Sequence, residues 1–551
     1  VIAIPVAPGA CPDATGILNR FSAAGKAARG SDEIKSIWLP VEAPKESKDM
    51  NVILIYPRFP DTFWSFRYAL SFIGKKAAFP PLGLLTVAAL LPEEWPKRLV
   101  DINVNGLTDG DLSWADMAFV GGMAVQKKSA KQIIASCKAK GLKVVAGGPL
   151  FTAEQDEFGD VDHLVLDEAE LTLPLFIDDL QNGRPQRVYR ASGFCDLHQT
   201  PIPSWDLVPM KRYASMSIQF SRGCPFNCEF CNVTALFGHR PRLKTSQQVI
   251  AELDRLYDAG WRSSIFFVDD NFIGNKRYLK TQLLPALIDW RKDKKGCVFF
   301  TESSIDLADD PELLDLMRRA GFDTVFIGIE SPDEACLTEC HKTQNKNRDL
   351  LQSVKIIHHA GLQVMGGFIV GFDSDTRSTF QRQIDFIQKS GIVTAMVGIL
   401  QAPPGTLLFD RMQRENRLIS AFSGDNVDGT TNIIPKMGLD RLLDGYRSIM
   451  KQIYAPKTFY RRIRIFFREL GEPTVTNPMN AQRFLAILRS SFWLGVWGKE
   501  RLQYWRLLFW TLVRKPKLLS LAITLAIYGH HYRKICEKYI LFDSDGAASL
   551  N

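Results

Sequence analysis

Ser221-Arg-Gly-Cys224-Pro-Phe-Asn-Cys228-Glu-Phe-Cys231 puts three thiols in one short loop, and no further cysteine follows until Cys297. Thiolates are soft ligands suited to iron-sulfur clusters. Three of them hold three irons of a cubane and leave the fourth iron open to another ligand. A structural zinc or an electron-transfer cluster needs a fourth thiolate close by. The missing ligand therefore points to chemistry at an open iron, and a zinc knuckle or three unrelated thiols is the bland alternative.

Outward from the loop, Ile218 to Phe220 reads as the strand that delivers it. Helical and strand patterns then alternate: Ser246 to Asp258, Ser264 to Val268, Tyr278 to Lys292, Cys297 to Glu302, Pro311 to Ala320, Thr324 to Ile329, Asn347 to Ala360, Gln363 to Val370, Thr376 to Ser390 and Val393 to Leu400. This makes about six strand-helix units, too few for a full eight-unit barrel. Chemistry on parallel barrels sits on the loops leaving the strand carboxyl ends. Those loops carry Asp269-Asp270-Asn271, Glu302-Ser303-Ser304, Glu330-Ser331 and Gly371-Phe-Asp373. One such acid alone reads as a helix cap; four polar clusters at successive strand ends read as a site.

Upstream, from Met50 to about Arg190, short apolar runs again alternate with helical stretches, among them Val52 to Tyr56, Met117 to Gly121, Val144 to Ala146 and His163 to Leu166. That spacing predicts a doubly wound parallel sheet with helices on both faces, whose ligands lie beyond the strand carboxyl ends. Gly121-Gly122-Met123, Gly147-Gly148-Pro149 and Glu168-Ala-Glu170 fall at those ends. The stretches from Tyr56 to Phe66 and from Gly74 to Gly83 are too aromatic and proline-rich for ordinary solvated loops. They read as a cofactor or substrate lip, or as packing against the next domain.

The cysteine spacing, with aromatic Phe230 before the last thiol, matches the signature of the radical S-adenosylmethionine (SAM) enzymes. From Met50 onward the chain resembles the cobalamin-binding members of that family, a class that includes hopanoid methylases. The resemblance implies a partial (β/α)6 barrel, a [4Fe-4S] cluster on Cys224, Cys228 and Cys231, SAM on the open iron, and a cobalamin-binding α/β domain ahead of the barrel. It implies SAM contacts from Asp269, Asp270, Asn271, Glu302, Ser303 and Glu330, charge neutralisation near the cluster by Arg222, and cobalamin contacts from Gly121, Gly122, Gly147, Gly148, Pro149 and Glu168.

The Asp-x-His-x-x-Gly motif that supplies a histidine to cobalt is missing from this stretch, and His163 reads as a packed or surface residue. The implied activity is methylation of an unactivated carbon of a lipid-like or natural-product substrate, with electrons from a flavodoxin or ferredoxin type donor. Radical ring formation, rearrangement or another non-methyl transfer is the alternative enzyme reading, and a non-catalytic cobalamin or redox sensor is the alternative of another class.

Composition sets the frame. The 551 residues, 46% apolar and 23% charged, describe a globular protein of about three or four domains. The expected divisions are 1–49, a disordered or mis-started extension with Met50 as the true start; 50–190, the cobalamin-binding-like domain; 191–204, a linker; 205–430, the radical core; and 431–551, a basic, aromatic helical region. No run of about 20 apolar residues and no secretory pattern is present. Cysteines without framework spacing suit a reducing compartment, so a cytoplasmic location is expected.

The net charge of +8 concentrates between Pro473 and Tyr539, where Glu500 and Glu537 are outnumbered by Lys and Arg. This region reads either as a helical cap on the barrel or as a peripheral membrane contact with Trp493, Trp497, Trp505 and Trp510 at the interface and Leu518 to Ile527 dipping in. No nucleic-acid-binding motif accompanies the charge, and no nucleic acid partner is expected.

Overall fold

Side chains in the first strand serve two separate cores. Ile53 and Ile55 face one, Val52 and Leu54 the other, because successive residues of a strand point to opposite sides. In the computed structural model, which describes residues 49–472 and 481–541 with the side chains of 481–483 excepted, this strand is β1 (Val52–Tyr56). With β2 (Lys97–Asp101), β3 (Met117–Gly121), β4 (Lys143–Gly147), β5 (His163–Val165) and β6 (Val188–Tyr189) it forms a wholly parallel sheet in the order β2-β1-β3-β4-β5-β6. Helices Asp109–Trp114 and Lys127–Ala139 cover one face, Leu82–Leu90 and Ala169–Gln181 the other. The strand order reverses between β1 and β3, and a crevice opens beyond the strand ends at such a switch. The extension expected over 1–49 lies, but for Asp49, outside the described residues.

The second sheet is wound in one direction. After β7 (Met216–Ile218) and the short antiparallel pair β8 (Ser221–Arg222) and β9 (Arg242–Leu243) come β10 (Ser264–Phe267), β11 (Val298–Ser303), β12 (Phe322–Glu330), β13 (Gln363–Val370) and β14 (Ala395–Ile399). The order β14-β13-β12-β11-β10-β7 keeps chain neighbours adjacent and parallel. Among the described residues β7 and β14 are not paired, so the barrel is open. The strand expected over Ile218 to Phe220 ends earlier. The backbone amides of Phe220 and Ser221 leave the ladder and donate to the Asp269 carboxylate instead.

Helices Leu439–Ile453, Pro456–Glu469 and Leu519–Ile535 share the core of the barrel. Tyr454 Oη donates to the Ala395 carbonyl at 2.6 Å. The fully buried Arg462, held down to about 10 by burial, reaches the carbonyls of Ile453 at 3.0 Å and Val393 at 3.1 Å. The last helix also touches the N-terminal unit, where His531 meets the Phe63 carbonyl at 3.1 Å. Leu518 to Ile527, expected to dip into lipid, belongs to this helix and its approach, and Leu525 and Ala526 are wholly buried in protein. Among the described residues no helix is long and apolar enough to cross a membrane.

Candidate functional site

The cysteine loop is pinned at both ends. Gly223 has φ +95°, and a Cβ there would lie 2.9 Å from the carbonyl oxygens of Phe237, Gly238 and Arg240, so the turn into Cys224 requires glycine. Cys224 N donates to the Gly238 carbonyl at 3.3 Å, Glu229 N to that of Cys340 at 2.9 Å, and Leu408 N to that of Glu229 at 3.0 Å. Arg411 clasps the Glu229 carboxylate through Nε at 2.6 Å and Nη2 at 2.9 Å. Burial pushes the Cys231 thiol up to about 12 and raises that of Cys224 as well. Metal binding to such thiols proceeds with release of their protons.

Nitrogen donors stand around the sulfurs. Asn271 Nδ2 lies 4.0 Å from Cys224 Sγ, and Gln344 Nε2 lies 3.7 Å from Cys228 Sγ. Burial works against the charge on the Lys342 ammonium, and Glu330 with the sulfurs of Cys228 and Cys231 outweighs it and holds the ammonium well above its usual range. Such outer groups orient metal ligands and tune the metal. Among the described residues no three His, Cys, Asp or Glu side chains converge on a single-ion site.

The polar strand ends divide by role. Asp269, fully buried, accepts from Ser221 Oγ at 2.5 Å and from the amides of Phe220 (3.2 Å) and Ser221; burial pushes it up to about 7 against those bonds. Its carboxylate therefore shapes the approach to the cysteine loop. Burial lifts Asp270 to about 6, and burial with the Asp270 charge beside it lifts Glu302 to about 8. Acids raised in this way favour a cationic or hydroxyl-bearing ligand. Asn271 Oδ1 accepts from Ser304 N at 3.2 Å and Oγ at 3.3 Å, which ties the end of β10 to that of β11, while Ser303 Oγ donates to the Ser304 carbonyl at 3.2 Å. Asn271 and Ser304 occupy positions ahead of short helical turns but make no capping bond. Glu330 sits at φ +60° and turns its carboxylate onto Lys342 Nζ at 2.7 Å. A non-glycine residue held in that region is strained, a condition that gathers at functional sites.

Between the carboxyl ends of the two sheets lies a cavity of about 1640 Å³. Gly121, Gly122, Gly147, Gly148, Pro149 and Glu168 line it from the first sheet, Arg222 from the β8–β9 pair and Glu302 from the second sheet. The three cysteines, Asp269, Asp270, Asn271, Ser303 and Glu330 are outside this lining. Both aromatic, proline-rich stretches form its wall. Phe79 and Phe266 of the lining pack 5.3 Å apart, and Phe300, outside the lining, stacks on Phe266 with centroids 4.7 Å apart. Gly147 answers to the sheet itself, since a Cβ would fall 2.4 Å from the Val165 carbonyl of the neighbouring strand.

Arg222, expected to offset charge near the cluster, is held across the junction of the two sheets. Its Nη1 meets Glu168 at 2.8 Å and its Nη2 meets Glu170 at 2.7 Å, while Arg242 Nη1 reaches Glu168 at 3.0 Å. Glu168 also accepts from Cys195 N at 2.8 Å. His163 bonds the Gln186 carbonyl through Nδ1 at 2.7 Å and packs on Phe176.

Lys342, Gln344, Arg242 and Cys195 escaped sequence reasoning. Lys342 and Gln344 fall in an aperiodic polar run, Lys342-Thr-Gln-Asn345, shortly after the polar end of β12, and that position was the available signal.

Two parallel sheets face one cavity, and a three-thiol loop stands at the edge of the open barrel. Residues 218–387 match the family described as the Radical SAM superfamily, and residues 406–541 match a domain of unknown function, DUF4070. The chain is 42% identical over 502 residues to an uncharacterized methyltransferase of Synechocystis sp., spanning 89% of this chain and 93% of that protein. It is 33% identical over 506 residues to the hopanoid C-2 methylase of Rhodopseudomonas palustris, spanning 89% and 94%. The chain belongs to the radical SAM superfamily, in the methyltransferase group of these relatives.

Membership brings with it the [4Fe-4S] cluster and SAM. The fold is similar to that of the cobalamin-dependent SAM radical enzyme OxsB (TM-score 0.56, 15% identity, 89% of this chain and 84% of that one). It is also similar to the radical SAM methyltransferase TsrM of Kitasatospora setae (TM-score 0.55, 15% identity, 89% and 99%).

Proposed function

We propose that the protein is a cobalamin-dependent radical SAM methyltransferase that acts on an unactivated carbon of a lipid-like or natural-product substrate. The supporting observation is the cavity of about 1640 Å³ shared by the two sheets. Ligand pockets usually measure about 300–1,000 Å³, so this one has room for a large cofactor together with a substrate. The donor set fits both groups. The strand-end glycines and Pro149 offer backbone to a broad flat ligand at the switch point, and Asp270 and Glu302 offer carboxylates to the amino and ribose groups of SAM.

When bound, the cluster and cobalamin supply reductive cleavage of SAM and the methyl group respectively. The chain's own residues position and insulate. Lys342, Asn271 and Gln344 surround the thiolates, the Arg222 clamp ties the barrel to the first unit through Glu168 and Glu170, and Phe79 and Phe266 give the cavity an apolar wall. Electrons come from an external flavodoxin or ferredoxin type donor. An oxygen-sensitive cluster and the free thiols of Cys137, Cys297 and Cys536 support a reducing cytoplasmic setting.

Anaerobic purification with cobalamin, followed by product analysis, tests the reading. 5'-Deoxyadenosine together with S-adenosylhomocysteine is expected. Deoxyadenosine without S-adenosylhomocysteine would replace methylation with another radical reaction, and absence of both would leave a binding protein. Lipid profiling of a deletion strain then identifies the substrate.

A further inference from the structure

Helices Ala481–Phe492 and Arg501–Arg514 turn a long apolar face to solvent. On the second helix Tyr504, Leu507 and Thr511 are buried, while Leu502, Trp505, Phe509 and Leu512 point outward. Leu502, Phe509 and Trp497 are 77%, 72% and 71% exposed. Leu488 and Phe492 continue the face on the first helix. Trp505 Nε1 donates to the Gly495 carbonyl at 2.9 Å, in the turn Trp493–Trp497 that continues the first helix, and ties that turn to the second helix. Contiguous apolar surface of this kind marks an interaction site.

Charge identifies the partner. Lys499, Arg501, Arg506, Arg514, Lys515 and Lys517 are all exposed around the patch, and the acid among them, Glu500, is buried against Arg533. Trp, Phe and Leu on one side with Lys and Arg around them is the composition of a helix that lies in a membrane interface. A second protein surface made for this patch would need acids to match; an anionic bilayer offers both apolar chains and negative charge.

The patch also adjoins the cavity. Arg489 Nη1 reaches the carbonyls of Ser71 at 3.1 Å and Phe72 at 3.2 Å, and Arg67, Ser71, Gly74 and Lys75 of that segment line the cavity.

We propose that the exposed face of helices Ala481–Phe492 and Arg501–Arg514 seats the enzyme on an anionic phospholipid bilayer, with the cavity wall beside it, so that an apolar substrate enters from the lipid. The entry of substrate rests on the methyltransferase reading; the docking does not.

Flotation of the full chain with phosphatidylcholine vesicles, with and without phosphatidylglycerol, tests it. The wild-type protein is expected to float with the anionic vesicles and to be released by salt. A Trp497→Glu, Phe509→Glu double variant is expected to lose about tenfold or more in partitioning, with unchanged melting and unchanged SAM cleavage without vesicles. An Arg506→Glu, Lys515→Glu variant should lose binding to anionic vesicles while remaining folded.

Failure of the wild type to float, or equal flotation of both variants, overturns the proposal. So does a wild-type dimer in sedimentation equilibrium that the apolar variant dissociates without any vesicle binding, since the face would then meet a second copy. Flotation needs no turnover and SAM cleavage needs no vesicle, so docking and catalysis can fail separately.

Discussion

Arg222 neutralises two carboxylates that are nearly sealed from solvent, Glu168 and Glu170, 4% and 5% exposed. Arg222→Met leaves Glu170 without its cation, and breaking a buried pair of this sort costs about 3–5 kcal/mol. Urea unfolding should show that loss in full. Arg242→Met should cost less, because Glu168 keeps Arg222. Cys228→Ala is expected to reduce SAM cleavage to background while cobalamin retention, measured by absorbance after desalting, is unchanged; the cysteine lies outside the cavity lining. Retained cleavage would count against the cluster assignment. At this scale the sequence was legible where a residue type is scarce and its spacing strict, as with the three thiols. Arg222, read as a charge beside the cluster loop, and Glu168, read as a strand-end group, were both named from the sequence, yet their pairing joins positions 54 residues apart, and no local pattern encodes such a partner.

The junction between helices Leu350–His359 and Pro456–Glu469 carries a pH dependence. His358 is wholly buried, its two ring nitrogens have no hydrogen-bond partner, and it packs on Phe466 with centroids 4.8 Å apart. Burial, with His359 nearby, lowers it to about 3. Its folded value lies below the unfolded one, so the unfolded chain takes up a proton first. Stability is therefore complete above about pH 6.5 and falls toward pH 3, by about 2 kcal/mol at pH 5 for this group alone. His531, lowered to about 4 chiefly by burial, acts in the same direction. Thermal melts from pH 7 to 5 should show the decline, and His358→Phe should flatten it. The alternation of strands and helices was readable because each element is long enough to show its period. β6, with two residues, and the β8–β9 pair, with two each, are too short to do so.

At the scale of the molecule, periodicity predicted two parallel α/β units and the ends at which ligands gather. It said nothing of how the two sheets meet, because that geometry depends on contacts such as Tyr213 Oη on Asp101 at 2.8 Å, which link distant segments of chain. The large cavity follows from that meeting and became visible only in the fold. Trp64 stands in the cavity wall, 5.1 Å from Phe326, and is the tryptophan among the described lining residues. An indole at this position emits light into the cavity, so on the proposed reading a coloured corrin bound there would quench it. Titration with cobalamin should dim the emission, and Trp64→Phe should remove most of that response while leaving the signal of the remaining tryptophans.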